Sequence, residues 1–330
     1  MSAADGLPLF IVLNARSGAA DAQAAQSTIE SVLRASGRAY ELLPTTEPGA
    51  LAAQVERAAG LARRHRGALV AAGGDGTINA TVQAALAHHL PLGVLPQGTF
   101  NYFSRVHGLP AETEAATLAL LQAAPQPVQA GRITGGDGRS RAFVVNASLG
   151  LYPKLLEDRE ASKREYGRNR LVAAWAALRT LGTAHRPLRL VLRTGSADRL
   201  VRTQTVFVGN NALQLQQTGL PGVAALERGR LVAVMVAPVS TWSMFMLMLR
   251  GAFGRLGEAD SVVSFGFERL VVQPAAPLGR RRMKVATDGE VFWLRAPLTF
   301  DPWPEPLQLL CPPEPEPGSA TQAAEVRATR

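Results

Sequence analysis

Cysteine is nearly missing from this 330-residue chain: Cys311 stands alone, so no internal disulfide forms and packing and hydrogen bonds must hold the fold. Aromatic residues are scarce at 6%, and no apolar stretch of membrane length runs uninterrupted. The most apolar window, Leu231 to Phe253, is broken by Pro238 and Ser240-Thr241 and carries Arg250, which argues against a bilayer-spanning helix. The first residues lack the basic start and apolar core of a secretory signal, so the expected compartment is a reducing cytoplasm. Acidic charge is in deficit. With 26 Asp and Glu against 35 Lys and Arg, the formal net charge is +9 and the surface should attract anions. The arginine clusters Arg63-Arg64, Arg159 to Arg170 and Arg280-Arg281-Arg282 have neither aromatic interleaving nor a helix-turn-helix or finger spacing. Nucleic acid is therefore the weakest anionic partner, behind nucleotide and anionic membrane.

What is present is a globular composition, 47% hydrophobic and 18% charged, in a chain long enough for about two domains. Its most informative segment is Gly73-Gly74-Asp75-Gly76-Thr77, between the apolar run Ala68 to Ala72 and the helical-looking Ile78 to Val82. Glycines at such a strand-to-helix turn let backbone N–H groups approach a phosphate, and the helix N-terminus adds partial positive charge. A plain glycine-rich turn would satisfy the glycines alone. Asp75 adds a demand, because a carboxylate facing phosphates is repulsive unless a metal ion or a transferable proton lies between them.

The flanking pattern alternates strand and helix. Leu9 to Leu13, Tyr40 to Leu43, Ala68 to Ala72 and Leu92 to Leu95 read as strands, and helices are expected after the first, over Ala50 to Arg66, and after Gly76. This spacing predicts a parallel sheet, whose carboxyl-end loops gather on one side. Those loops are Asn14-Ala15-Arg16-Ser17-Gly18, Pro44-Thr45-Thr46, Gly73 to Thr77, and Pro96-Gln97-Gly98-Thr99-Phe100-Asn101. Any one could be an ordinary capping turn. Together on one edge they make a nucleotide-phosphate site.

After Pro125-Gln126-Pro127 the pattern changes to closely spaced apolar segments: Val128 to Ile133, Phe143 to Leu149, Leu188 to Leu192, Val201 to Val208, Leu231 to Val236, and five more up to Phe300. These predict an antiparallel β-sandwich interrupted by helices over Arg159 to Gly182 and Thr241 to Gly251. The expected organisation is an α/β domain over 1–127, a sandwich over 128–306, and a disordered tail at 312–330. Within the second half, Asp288-Gly289-Glu290 joins two strand-like runs. An Asp-Gly pair there is also a common hairpin turn. The basic Arg280 to Lys284 before it and the carboxylate after it favour a catalytic acid pair.

Four ordered motifs carry a family resemblance: Asn14 to Gly18, Gly73 to Asn79, Leu95 to Arg105, and Asp288-Gly289-Glu290. In their order and spacing the chain resembles the diacylglycerol kinase catalytic family, in its bacterial soluble lipid kinase branch, from Leu7 to Leu310. The resemblance implies an NAD kinase-like and phosphofructokinase-like α/β domain, a sandwich, an active site in the cleft between them, and a last strand at 307–311 that returns to the first domain. It implies ATP and Mg²⁺ as cofactors and a lipid hydroxyl as acceptor. The ATP-binding positions it implies are Asn14, Arg16, Ser17, Gly18, Thr45, Gly73, Gly74, Asp75, Gly76, Thr77, Ile78, Asn79, Gly98, Thr99 and Asn101. Glu290 becomes the general base, with Asp288 beside it and Asp75 at the phosphates and metal. Asp260 is the nearest candidate for a structural magnesium ligand. The chain departs from the pattern at Ala15, where proline is usual, at Tyr102, where many relatives have aspartate, at Ser104, and in the loop Asn210 to Gln216, which lacks a glycine cluster.

Two further readings stay open, a soluble kinase of the NAD kinase or phosphofructokinase type and a non-catalytic binding protein on this scaffold. His88-His89 reads as a solvated helix end. The stretch Trp242 to Leu249 reads as a packed helix before a membrane contact. The basic residues Arg159, Lys163, Arg164, Arg168 and Arg170 suit anionic lipid at the inner membrane face. Oligomeric state is open, a homodimer included.

Overall fold

The computed structural model describes residues 6–14, 19–47, 49–98, 100–157, 187–195, 197–275 and 282–313. The expected basic helix Arg159 to Gly182, the expected tail from 314 onward, and Arg16, Ser17, Gly18 and Thr99 lie outside these residues.

The first half is an α/β layer structure around β1 (Leu9–Asn14), β2 (Tyr40–Thr45), β3 (Ala68–Gly73) and β4 (Leu92–Pro96), all parallel. Side chains alternate across a strand, and the apolar run of β1 divides accordingly. Leu9, Ile11 and Leu13 pack under α1 (Ala19–Ser36) and α5 (Thr113–Gln122), through Ile29, Leu33, Ala116 and Leu120. Phe10 and Val12 face the other way, onto α2 (Leu51–His65) and α3 (Asp75–His88). Burial on both faces explains why these strands are continuous hydrophobic runs.

The sheet is completed from the far end of the chain. Its strand order is β2-β1-β3-β4-β18-β5, so β18 (Leu307–Cys311) lies parallel to β4 and antiparallel to β5 (Ala124–Val128). The run expected as a single strand from Val128 is therefore two: β5 ends at Val128 in the first sheet, and β6 (Gly131–Thr134) begins the second. Pro125 and Pro127 are tolerated in β5 because it is an edge strand. Cys311 is buried in β18, where burial pushes its thiol up and leaves it a packing group.

The second half holds two six-stranded antiparallel sheets among the described residues. One has the order β10-β9-β14-β17-β6-β7, with β7 (Ser140–Phe143), β9 (Leu188–Thr194), β10 (Ala197–Thr203), β14 (Leu270–Pro274) and β17 (Leu298–Pro302). The other has the order β13-β12-β11-β8-β15-β16, with β8 (Asn146–Gly150), β11 (Thr205–Gly209), β12 (Leu231–Val236), β13 (Val262–Phe267), β15 (Arg282–Thr287) and β16 (Glu290–Arg295). Their inner faces share one core, in which Phe143, Leu192 and Phe300 meet Leu149, Val208 and Val285.

Two expected strands are split here. Phe143 to Leu149 belongs to β7 and β8, and Val201 to Val208 to β10 and β11, with the chain changing sheets at each break. The corner at Val144 and Val145 is buried and apolar, so the sequence there reads as one run, whereas the chain passes from β10 to β11 through the polar Thr203-Gln204-Thr205. The expected loop Asn210 to Gln216 is mostly α7 (Ala212–Thr218), which follows α6 (residues 151–157) and precedes α8 (Val223–Leu226) and α9 (Thr241–Ala252). Asn211 caps α7 by accepting from the Gln214 amide at 2.9 Å.

Candidate active site

The loop after β3 is short because α3 starts almost at once, with Gly74 in the extended capping position and Asp75 as the first helical residue. By position, the first amides of α3 have no intrahelical acceptor, so the turn offers donors and partial positive charge. The loop after β4 folds against it. Gln97 N–H donates to the Gly73 carbonyl at 2.9 Å, and Asn101 closes the second loop on itself, accepting from Gly98 N at 3.1 Å and donating to Gly98 O at 2.7 Å. Asn101 holds this with φ at +45°, a left-handed conformation that asparagine tolerates.

The glycines divide into two kinds. A Cβ on Gly98 would stand 3.0 Å from Gly74 Cα and 2.7 Å from Asn101 Oδ1, so close packing of the two loops demands it. A Cβ on Gly73 would meet Thr77 Oγ1 at 2.6 Å. At Gly76 a Cβ would meet nothing within 4 Å, and its φ is not left-handed. Protein packing gives no reason for that glycine. An approaching ligand does.

Asp75 is oriented by the second loop, for its carboxylate accepts from the Asn101 backbone N–H. Burial pushes its carboxyl above the ordinary carboxylate range, and those amides only partly offset this. Its Oδ1 is buried without a hydrogen-bond partner in the protein, and the neighbouring Gln97 Nε2 is in the same condition. A buried carboxylate oxygen left unpaired is costly unless it faces a cation or a donor, so Asp75 fits a Mg²⁺ ion. Asn14 at the end of β1 donates from Nδ2 to Thr77 Oγ1 at 2.9 Å, which ties the first loop to α3. Thr45 is buried, with its hydroxyl spent on the Leu13 carbonyl at 3.1 Å. Ile78 is a core residue, buried in the layer between the first sheet and α2 and α3.

Asp288 lies at the hinge of the two halves. Where the chain passes from β7 to β8, the amides of Val144, Val145 and Asn146 turn a corner between sheets, and all three donate to the Asp288 carboxylate at 2.9 Å. The fourth donor is Asn79 Nδ2 of α3 at 2.7 Å. These bonds pull its carboxyl down, against burial, which pushes it up more strongly. One turn further along α3, Gln83 exchanges two 2.9 Å hydrogen bonds with the backbone of Ala142 in β7. Asp75, Asn79 and Gln83 are spaced by four and share one helix face, so the face that starts at the loop ends on the sandwich. With four donors on it, Asp288 is a clamp.

The turn Asp288-Gly289, with φ at +46° and +89°, is the tight hairpin that the Asp-Gly pair suggests, and it starts β16 at Glu290. Glu290 is half-exposed and accepts from Arg141 Nη1 at 3.1 Å, while that guanidinium stands 5.0 Å from the Phe292 ring centroid. Arg141 was not legible in the sequence: an arginine in an edge strand signals nothing until the packing of the two sheets brings β7 to β15 and to Glu290 at the start of β16. Asn210 and Asn211 were also missed as joints. Asn210 Nδ2 donates to the Gln129 and Val144 carbonyls, and Asn211 Nδ2 to the Tyr102 carbonyl at 3.1 Å. Paired asparagines after a strand were the available signal. Tyr102 starts α4 (Tyr102–Val106) and stacks on the exposed ring of Phe100, 6.1 Å away. Asp260 lies elsewhere, exposed beside α9, and among the described residues no three His, Cys, Asp or Glu side chains converge on a metal position.

Residues 8–133, which include the loops after β1, β3 and β4, match the model of the diacylglycerol kinase catalytic domain. This part of the chain is similar to the diacylglycerol kinase catalytic domain. Among similar proteins, the diacylglycerol kinase of Mycobacterium tuberculosis (strain H37Rv) is 32% identical over 131 residues, covering 38% of this chain and 40% of that protein. The "Probable lipid kinase YegS-like" of Pseudomonas aeruginosa (strain PAO1) is 41% identical over 107 residues, 31% of this chain and 33% of that protein. The matched part thus spans less than half the length of these relatives. The fold agrees over nearly the whole chain with a diacylglycerol kinase structure from Bacillus anthracis str. Sterne, at a TM-score of 0.64 and 17% identity, covering 93% of this chain and 97% of that one. The diacylglycerol kinase fold therefore extends through the sandwich, where Asp288 and Glu290 lie.

Proposed function

We propose that this chain is an ATP-dependent lipid kinase that transfers the γ-phosphoryl group to the hydroxyl of diacylglycerol or a related lipid. One observation carries the reading: the unpaired, buried Asp75 Oδ1 at a helix N-terminus, beside a glycine that packing does not require. The α/β part, residues 1–127 with the returning strand 307–311, would hold ATP, and the sandwich, 128–306, the lipid.

The loops after β3 and β4 bind the phosphates through backbone N–H groups, with Gly74 and Gly76 allowing close approach. Mg²⁺, held by Asp75, would neutralise charge on the β- and γ-phosphates. The lipid oxygen forms the new bond to the γ-phosphorus, the bond from that phosphorus to the bridging oxygen of ADP breaks, and the hydroxyl proton passes to Glu290. Arg141 orients that carboxylate by donating to it. Asp288 and Asn79 keep the hairpin and α3 in register, so that base and nucleotide stay aligned. A cytoplasmic enzyme touching the inner membrane face would meet its substrate there.

The test is transfer from γ-labelled ATP to a lipid panel resolved by thin-layer chromatography. Labelled lipid is expected, and Glu290→Gln should lower turnover by about 10²–10⁴-fold with the fold intact. Asp75→Ala should lose most of the transfer. Labelled soluble acceptor would point instead to a soluble kinase, and nucleotide binding without transfer to a non-catalytic protein. Near-normal turnover by either variant would sink the mechanism.

A further inference from the structure

α9 is packed on one side only. Met244 and Leu247 are buried with Leu151, Val236 and Ala259, while Trp242, Met248, Leu249 and Phe253 are exposed. Trp242 and Phe253 are 70% and 77% exposed, values unusual for such large apolar side chains. Trp242, Phe245, Leu249 and Phe253 recur at steps of three, four and four, which makes a stripe along the helix, and the Trp242 and Phe245 rings lie 5.7 Å apart. The stripe borders an open groove of about 570 Å³.

The composition of the stripe selects its partner. Tryptophan, phenylalanine, leucine and methionine on one face, with arginine at its edge, suit the boundary between acyl chains and head groups. Arg250 lies at the edge of the stripe between Leu249 and Phe253 and feels Glu258 only through space, since Glu258 is hydrogen-bonded by Arg255. The chain as a whole carries +9, so an anionic surface draws it in. The stripe is also connected to the site. α9 packs on α7, α7 packs on α4, and Asn211 at the start of α7 bonds the Tyr102 backbone, next to the exposed Phe100.

We propose that the α9 stripe is a docking face for an anionic lipid bilayer, inserting Trp242 and Phe253 at head-group depth with Arg250 on anionic head groups. The proposal deepens the lipid-kinase reading and rests on it for why the substrate lies in that bilayer. The contact requires no structural change, since the residues are already exposed.

The test uses the full chain in flotation with phosphatidylcholine vesicles, with and without phosphatidylglycerol. Wild type should bind the anionic vesicles with a blue shift of indole emission. Trp242→Ser/Phe253→Ser should bind at least about tenfold more weakly, and Arg250→Gln about fivefold more weakly on anionic vesicles. Trp242→Phe should keep the binding and lose the shift. Transfer to a short-chain lipid monomer in solution should be unchanged in all three variants. Equal binding by the double-serine variant would overturn the proposal, as would wild type that ignores both vesicle types. Self-association of wild type that the double-serine variant abolishes would assign the face to a second copy and overturn it too. Vesicle binding that follows the expected pattern without any lipid phosphorylation would support docking and refute the kinase reading, so the two fail separately.

Discussion

Removing the Asp288 carboxylate should destabilise the protein far more than removing that of Glu290, two residues away. Asp288 Oδ1 accepts from Val145 N and Asn146 N, and Oδ2 from Asn79 Nδ2 and Val144 N. Each buried donor left unpaired costs about 1–3 kcal/mol. Four donors at the lower end, with some water entering the space of the lost carboxylate, give about 4–6 kcal/mol for Asp288→Ala. Alanine at the left-handed φ of +46° adds about 1–2 kcal/mol. That sum is a large part of the roughly 5–15 kcal/mol that holds a typical domain together. Asp288→Asn keeps the turn and one acceptor oxygen. Asn79 can rotate its amide to accept from the new NH₂, which leaves chiefly the Val144 N–H unpaired and a cost of about 1–3 kcal/mol. Glu290→Gln breaks only a half-exposed ion pair and should cost no more than about 1 kcal/mol. Urea unfolding followed through tryptophan fluorescence ranks the three, with Trp293 in the same hairpin as reporter. Stability of Asp288→Asn and Asp288→Ala within about 1 kcal/mol of wild type would refute the clamp.

Two further outcomes follow from the same structure. Gly76→Ala should stabilise α3 by about 0.5–1 kcal/mol, because alanine is the better helix former and meets no protein atom, yet weaken ATP binding in calorimetry; unchanged affinity would remove the ligand from that turn. His107, against the Phe103 ring, has its imidazole pushed by burial from the ordinary 6.5 down to about 4. A depressed pKa means that folding favours the neutral ring, so its contribution is complete above 6.5, shrinks as pH falls, and is gone below 4. The loss amounts to about 3 kcal/mol. Thermal unfolding between those pH values should show it in wild type and much less in His107→Phe.

The parallel strands, the glycine loops and the helix that follows them were legible because their signals are local. A buried parallel strand needs an unbroken apolar run, and a close backbone approach needs glycine. The return of the strand at 307–311 to the first sheet came only with the family resemblance, because the short apolar run after Pro304 and Pro306 does not itself say which sheet it joins. The corners between sheets were not legible. Val144 and Val145 are as apolar as the strands they join, and only the pairing of β7 with β6 and of β8 with β11 and β15 shows that the chain turns there.

The same division separates the two acids of the hairpin. Local turn chemistry placed Asp288, Gly289 and Glu290 in a tight turn, and the order of motifs brought them to a site with Asp75. Tertiary structure alone assigned their work. Asp288 is a clamp because three corner amides and Asn79, up to 209 residues away, need one acceptor. Glu290 is available because its only described partner is the Arg141 guanidinium at a half-exposed edge. Composition and spacing report what a residue can do. Which donors surround it is set by contacts between segments far apart in the chain, and no local pattern encodes those.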